Sequence, residues 1–282
     1  MEKELDLLLP PEMARKAEEV GVTKAGMGTL KTLVLAVLAG AFIALGAAFA
    51  NVVSTGDGLP YGLTRLLSGL VFGLGLVLVI LGGAELFTGN NLIVMAWASR
   101  RITAARLLRN WGLVFAGNTV GAVFMVAMVL GSGHLMAGKG GVGLTLLQTA
   151  RAKCMLDPVH AFFLGVLCNV LVCLAVWLSF SAKDVAGKVL VILIPVSAFV
   201  ACGFEHSIAN LYIVPLAMGW KALAPEAFWA LAGSDPSAFA GVGWSNFIWH
   251  NLLPVTAGNM LGGAGLVGLV YWFVYLRRAS DS

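Results

Sequence analysis

The sequence predicts an all-α integral membrane protein built as an inverted repeat of six transmembrane helices, the second and fifth of them broken. Three observations carry this. The chain is 59% hydrophobic and 11% charged, with a mean hydropathy of +0.91, whereas about a quarter of the residues of a soluble domain are charged. Its apolar stretches, separated by short polar connections, divide into six crossings of a ~30 Å hydrocarbon core. The pattern Gly-x-Glu-x-x-x-x-Asn occurs twice inside apolar runs, at Gly83–Asn90 and Gly203–Asn210.

Met1 to Thr29 mixes acids and bases and does not read as a cleavable signal, so the first span is expected to anchor itself. After Pro10-Pro11, Glu12 to Val20 suits a surface helix with Met13, Ala17 and Val20 on one face. The first span runs from Leu33 to Val53, long enough to cross at 1.5 Å per residue, and Ser54 to Arg65 is a loop. Leu66 to Ala98 is too long for one straight span and too short for two. The economical reading is one crossing broken at Glu85 to Asn91, where glycines and asparagines disfavour continuous helix.

Ser99 to Asn110 is a basic connection, and Trp111 to Leu130 is the third span. Gly131 to Pro158 is a glycine-rich connection before the fourth span, Val159 to Phe180. The fifth run, Val189 to Trp220, again exceeds one helix and breaks at the second octet. Lys221 to Asn246 leads to a sixth span over Leu252 to Leu276. The resulting organisation is a cytoplasmic N-terminal amphipathic helix (1–30), a first repeat of three spans (31–131), an outer connection (132–157), a second repeat (158–276) and a cytoplasmic tail (277–282).

Thirteen of the 18 basic residues fall on the side of the termini, which predicts that both ends are cytoplasmic. The basic residues are scattered over short loops rather than gathered in a patch, so a nucleic-acid partner is not expected. Three spans per half means that the halves enter the membrane from opposite sides. Echoes at Gly117-Asn118-Thr119-Val120-Gly121 and Gly258-Asn259-Met260-Leu261-Gly262 support the duplication. The four cysteines form no Cys-x-x-Cys pair, and neither a disulfide framework, a metal site nor a cofactor is expected.

Broken helices inside a bilayer are tolerated only where they are buried in protein or line a water-filled cavity. Two breaks from opposite sides therefore predict a cavity, and half-helix N-termini aimed at it favour an anionic or polar guest. Glu205 and His206 sit at the second break, where ionisable groups are costly and mark function. His206 can donate a hydrogen bond to a passing anion or hand it a proton.

At these residues the chain resembles the formate/nitrite transporter family, and within it the bacterial formate channels. The matching stretches are Ala84-Glu85-Leu86-Phe87-Thr88, Val172-Cys173-Leu174-Ala175-Val176-Trp177, Gly203 to Asn210 and Asn251-Leu252-Leu253-Pro254-Val255-Thr256-Ala257-Gly258-Asn259. The resemblance implies an aquaporin-like fold in a homopentamer with a pore in each protomer, in a bacterial inner membrane. It implies that His206 is the central pore histidine and Thr88 the threonine of the first break. Leu76, Phe72, Phe87 and Phe199 would form hydrophobic constrictions, Lys153 would stand in the outer vestibule, and Glu205, Asn169 and Asn259 would support the centre. The implied substrate is formate, carried passively and in a pH-sensitive way, with nitrite as the alternative. After Thr88, Gly89-Asn90-Asn91 departs from the formate-channel serine toward the nitrite-channel pattern. His134, His160 and His250 match no motif and are expected in loops or interfaces.

An aquaporin-type channel for neutral solutes would need paired Asn-Pro-Ala loops, which neither break contains. An intramembrane enzyme built on Glu205, His206 and Ser207 is disfavoured because adjacent helical residues point apart. No His-Glu-x-x-His pattern exists.

Overall fold

The computed structural model describes residues 7–56 and 58–277. The predicted tail, apart from Arg277, lies outside the described residues, as does the start of the N-terminal segment. Among the described residues the secondary structure is entirely helical.

Helix α1 (Pro10–Ala25) begins with proline at its first position, and the Glu12 carboxylate accepts from the Leu9 N–H at 2.8 Å. It runs a turn longer at the C-terminal end than the apolar pattern predicts, and it buries Met13, Ala14, Ala17, Gly21 and Ala25. Three further contacts tie it down. Glu18 pairs with Arg101 at 2.9 Å, Ser181 donates to the Leu8 carbonyl at 3.0 Å, and Lys24 reaches into the bundle.

The six crossings follow. Helix α2 (Thr29–Val53) is the first and α3 (Tyr61–Leu81) opens the second, which resumes as a 3-10 turn (Gly89–Ile93) and α4 (Val94–Ala98). Helix α5 (Ala104–Gly131), capped by Thr103, is the third. The long connection holds an unpredicted helix, α6 (Gly141–Cys154), before the fourth crossing, α7 (Pro158–Ser181), which Asp157 caps. Helices α8 (Val185–Ala201) and α9 (Ser207–Leu223) form the broken fifth, and α10 (Glu226–Ala232) lies in the second connection. The sixth is continuous through α11 (Trp244–Asn246), a π segment (Phe247–Leu252), α12 (Leu253–Met260), a second π segment (Leu261–Leu269) and α13 (Val270–Tyr275).

Four of these helices and the run leading into the sixth crossing are long and apolar enough to span a membrane, and α8 is a shorter apolar helix. Most helices start several residues before the apolar runs do, because polar first turns such as Tyr61–Arg65 and Ala104–Asn110 are helical as well. The protein is a multi-pass membrane protein.

The duplicated echoes are packing devices. A Cβ placed on Gly121 would lie 2.0 Å from the Val37 carbonyl, and one on Gly262 would lie 2.2 Å from the Val166 carbonyl. Only glycine permits this approach, so α5 crosses α2 as the sixth helix crosses α7, backbone against backbone. The two crossings are repeat-related and hold the breaks between them.

Candidate functional site

Each break is made the same way. Helices α3 and α8 both stop ahead of a glycine at φ +75°, Gly83 and Gly203, a conformation that other residues adopt at a cost. The turn lets the Ala84 N–H reach the Val79 carbonyl and the Phe204 N–H reach the Phe199 carbonyl, each at 2.9 Å. Extended backbone follows. The Glu85 N–H donates to Leu35 at 3.1 Å, and the Glu205 N–H to Leu164 at 3.2 Å. The first break therefore begins at Gly82, earlier than the sequence pattern predicts, because the glycine pair ends the helix before the acid.

Two asparagines clamp the extended segments. Asn118 on α5 accepts from the Phe87 N–H at 2.9 Å and donates to the carbonyls of Ala36 (2.7 Å) and Glu85 (2.9 Å). Asn259 on α12 accepts from the Ser207 N–H at 3.0 Å and donates to Gly165 (2.8 Å) and Glu205 (3.0 Å). Every backbone group so held is buried, and each would cost about 1–3 kcal/mol if left unpaired.

The two acids also sit in matching cages. Glu85 pairs with Lys24 at 3.0 Å and accepts from Asn90 at 2.7 Å, while Asn90 also donates to Asn110 at 3.0 Å. Glu205 pairs with Lys153 at 2.8 Å and accepts from Asn210 at 2.7 Å and Asn251 at 3.0 Å, with Asn210 donating to Asn251 at 2.7 Å. One lysine comes from α1 and the other from α6, the helix that precedes the first span of each half. Buried carboxylates persist only with such partners.

Symmetry ends at the centre. Leu86 in the first break stands where His206 stands in the second, and Ile208 stands where the first break has Thr88. His206 and Thr88 meet, with Nε2 3.0 Å from the threonine Oγ1. The His206 Nδ1 accepts from the Ala209 N–H at 3.1 Å, making the imidazole the N-cap of α9. That bond assigns the neutral ring's hydrogen to Nε2, which donates to Thr88. Phe199 stacks on the ring at 6.0 Å between centroids, and Phe72 meets Phe199 edge-on at 5.6 Å.

Two cavities lie near this pair: His206 lines one, and Leu86 and Gly89, on either side of Thr88 in the chain, line the other. The one on the α6 side, about 380 Å³, is lined by Arg65, Phe72, Lys153, Phe199, Glu205 and His206 among others. The one on the α1 side, about 250 Å³, is lined by Lys24, Leu76, Glu85, Leu86, Gly89 and Phe180 among others. Phe72 and Leu76 lie one turn apart on α3, one lining each cavity.

The structure brings most of the predicted residues together. Asn169 donates to the Thr88 carbonyl (3.3 Å), to Asn91 (3.1 Å) and to the Asn259 carbonyl (2.7 Å), linking both breaks. Phe87 is turned away, its ring packed on Phe115 at 5.1 Å and Trp111 at 6.5 Å, and it lines neither cavity. Glu205 and His206, neighbours in sequence, point apart, one to Lys153 and the other to Thr88. His134 lines the α6-side cavity, whereas His160 and His250 are exposed.

Sequence reasoning missed Lys24, Asn110, Asn251 and Leu86. A signal existed, since a constant offset of 129 positions relates Lys24 to Lys153 and Leu35 to Leu164, and one of 141 relates Asn110 to Asn251 and Asn118 to Asn259.

A family profile described as formate/nitrite transporter matches residues 11–273. The formate channel FocA of Escherichia coli (strain K12) is 46% identical over 274 residues, 97% of this chain and 96% of that protein. The formate channel FocA of Haemophilus influenzae is 41% identical over 263 residues, 93% of each. A solved pentameric formate channel with formate bound superposes with a TM-score of 0.84 at 45% identity, covering 88% of this chain and 98% of that one. An FNT family ion channel does so at 0.77 and 30%, covering 93% and 98%. With a matching profile across nearly the whole sequence and the two mirrored breaks already in view, the chain belongs to the formate/nitrite transporter family.

Proposed function

We propose that the protein is a passive, pH-sensitive channel that carries formate across a bacterial inner membrane, with a pore in each protomer of a homopentamer and both termini cytoplasmic. In this reading it is not an enzyme and uses no cofactor. The observation that carries it is the His206–Thr88 contact, a buried N–H donor held by one broken helix against a hydroxyl held by the other, with His206 lining the α6-side cavity and Gly89, next to Thr88, lining the α1-side one. The likeness to formate channels supports the substrate class.

The mechanism follows from the chain's own groups. An anion collects in the cavity flanked by Lys153 or by Lys24, loses water against Phe72 and Phe199 on one side and Leu76 and Leu86 on the other, and takes the Nε2–H bond that Thr88 otherwise accepts. Phe87 has a packing role rather than a constricting one. Asn169 and Asn259, which line neither cavity, hold the histidine's surroundings in place, and Glu205, which lines the α6-side cavity, anchors Lys153 there. Protonation of the ring would put a hydrogen on Nδ1, where the Ala209 N–H already points. Ring protonation and the N-cap of α9 thus exclude one another, which ties pH to the start of the half-helix. Glu205, paired with Lys153, is the adjacent charge on this path, and His134 shares its cavity.

The repeats, 31–131 and 158–276, are each preceded by a helix that delivers a lysine, α1 or α6. Nitrite is the alternative guest. In the Gly89-Asn90-Asn91 departure, Asn91 bonds to the Phe87 carbonyl and Asn90 to the Glu85 cage. Gly89, which lines the α1-side cavity with no side chain, is the feature that bears on substrate size. Formate and nitrite fluxes at equal gradients into liposomes holding the purified protein test the assignment: faster formate supports it, and faster nitrite replaces it.

A further inference from the structure

Arg65, on the second turn of α3, reaches the end of α8. Its Nε donates to the Ala201 carbonyl at 3.1 Å and its Nη2 to the Val200 carbonyl. Both carbonyls belong to the last turn of α8, where Val200 also accepts from the Gly203 N–H at 3.0 Å, and that helix C-terminus carries about half a negative charge. The guanidinium offers five N–H donors and two groups are engaged here, so the rest of it faces the α6-side cavity that it lines. No carboxylate lies within ion-pair distance of it among the described residues.

The repeat supplies an internal control. The position related to Arg65 is Val185, exposed at the start of α8, and nothing cationic caps the end of α3 among the described residues. The charge balance of the two cavities therefore differs. On the α1 side Lys24 is matched by Glu85, and the α3 terminus keeps its partial negative charge. On the α6 side Lys153 is matched by Glu205, and Arg65 more than offsets the α8 terminus. Of the two lysines and the arginine, Arg65 is the one with no carboxylate partner among the described residues.

We infer that Arg65 is an anion-capturing residue of the α6-side mouth, one that makes capture of a small monovalent carboxylate more favourable from that face than from the α1 face. This rests on the channel reading above and adds to it a side-specific recognition site formed by a guanidinium seated on a broken helix's C-terminus. The geometry suits the guest, because the same planar fork that bridges two carbonyls presents its remaining donors to a carboxylate.

The test measures initial formate uptake into spheroplasts and into inverted membrane vesicles, which present opposite faces, over a range of formate and salt concentrations. At low salt, Arg65→Gln should raise the half-saturating formate concentration about threefold to tenfold from the α6 face and leave the α1 face unchanged. Arg65→Lys should keep most of the wild-type value, and the difference should shrink as salt rises. Wild-type protein should itself show steeper salt dependence from the α6 face, a measurement that needs no variant if Arg65→Gln fails to assemble. Equal effects from both faces, or loss in Arg65→Lys as large as in Arg65→Gln, overturn the inference. Absence of formate flux in wild-type protein would instead overturn the channel reading.

Discussion

Replacing Asn259 with leucine, a side chain of similar size without polar atoms, removes three hydrogen bonds at once. It orphans the Ser207 N–H and takes one donor each from the Gly165 and Glu205 carbonyls. The Glu205 and Ser207 groups flank His206 in the break, and Ser207 and Asn259 are fully buried. At about 1–3 kcal/mol per unpaired buried group, with the donor the most exposed to loss, the expected cost is roughly 3–6 kcal/mol. For a chain of this size that is roughly a 6–15 °C fall in the midpoint of thermal unfolding. Asn118→Leu removes the mirror-related set, from Phe87, Ala36 and Glu85, and should cost a similar amount. The two variants should part in function, because the second break carries His206 and the first does not. In detergent-solubilised protein followed by tryptophan fluorescence on heating, both midpoints should fall together. In liposomes, the variant at position 259 should lose more of the pH response of formate flux per degree of lost stability. A midpoint shift of less than about 2 °C in either variant would refute the view that these asparagines hold the breaks.

Gly203→Ala forces a residue with a Cβ into φ +75° and should cost about 1–2 kcal/mol, read as a lowered midpoint; Gly83→Ala should match it. Lys24→Met leaves Glu85 buried without its cation and should destabilise by about 3–5 kcal/mol, and a second change, Glu85→Gln, should restore most of the loss in the same melting assay.

Much of this arrangement is legible in the amino-acid sequence. The repeated Gly-x-Glu-x-x-x-x-Asn octet located both breaks, because a glycine ahead of a buried acid within an apolar run has few other uses. His206 stood out as the one imidazole in such a run at a motif. The sequence was silent where a contact depends on the crossing of distant helices. Nothing local to Lys24 says that α1 folds back into the bundle, since its surroundings read as an ordinary surface helix. Phe87 and Leu86 are adjacent apolar residues in an extended segment, so which of them faces the cavity depends on the phase of the chain after Gly83. Arg65 lay in a stretch that reads as a loop until its side chain is seen at the end of α8. Helix α6 was hidden because a glycine-rich start, Gly140–Gly143, resembles a linker until Trp220 and Phe228 are seen to pack against Gly143.

The central claim is that a hydrogen bond donor at His206, shared with Thr88, carries the anion between the two cavities. Its most direct measurement is formate flux into liposomes across pH 5 to 8, comparing wild-type protein with His206→Phe, which keeps the stacking on Phe199 and removes both ring nitrogens. Wild-type flux should change with pH, and the variant should respond to pH far less, with a different absolute rate. Wild-type flux and pH response retained in the variant would contradict the account.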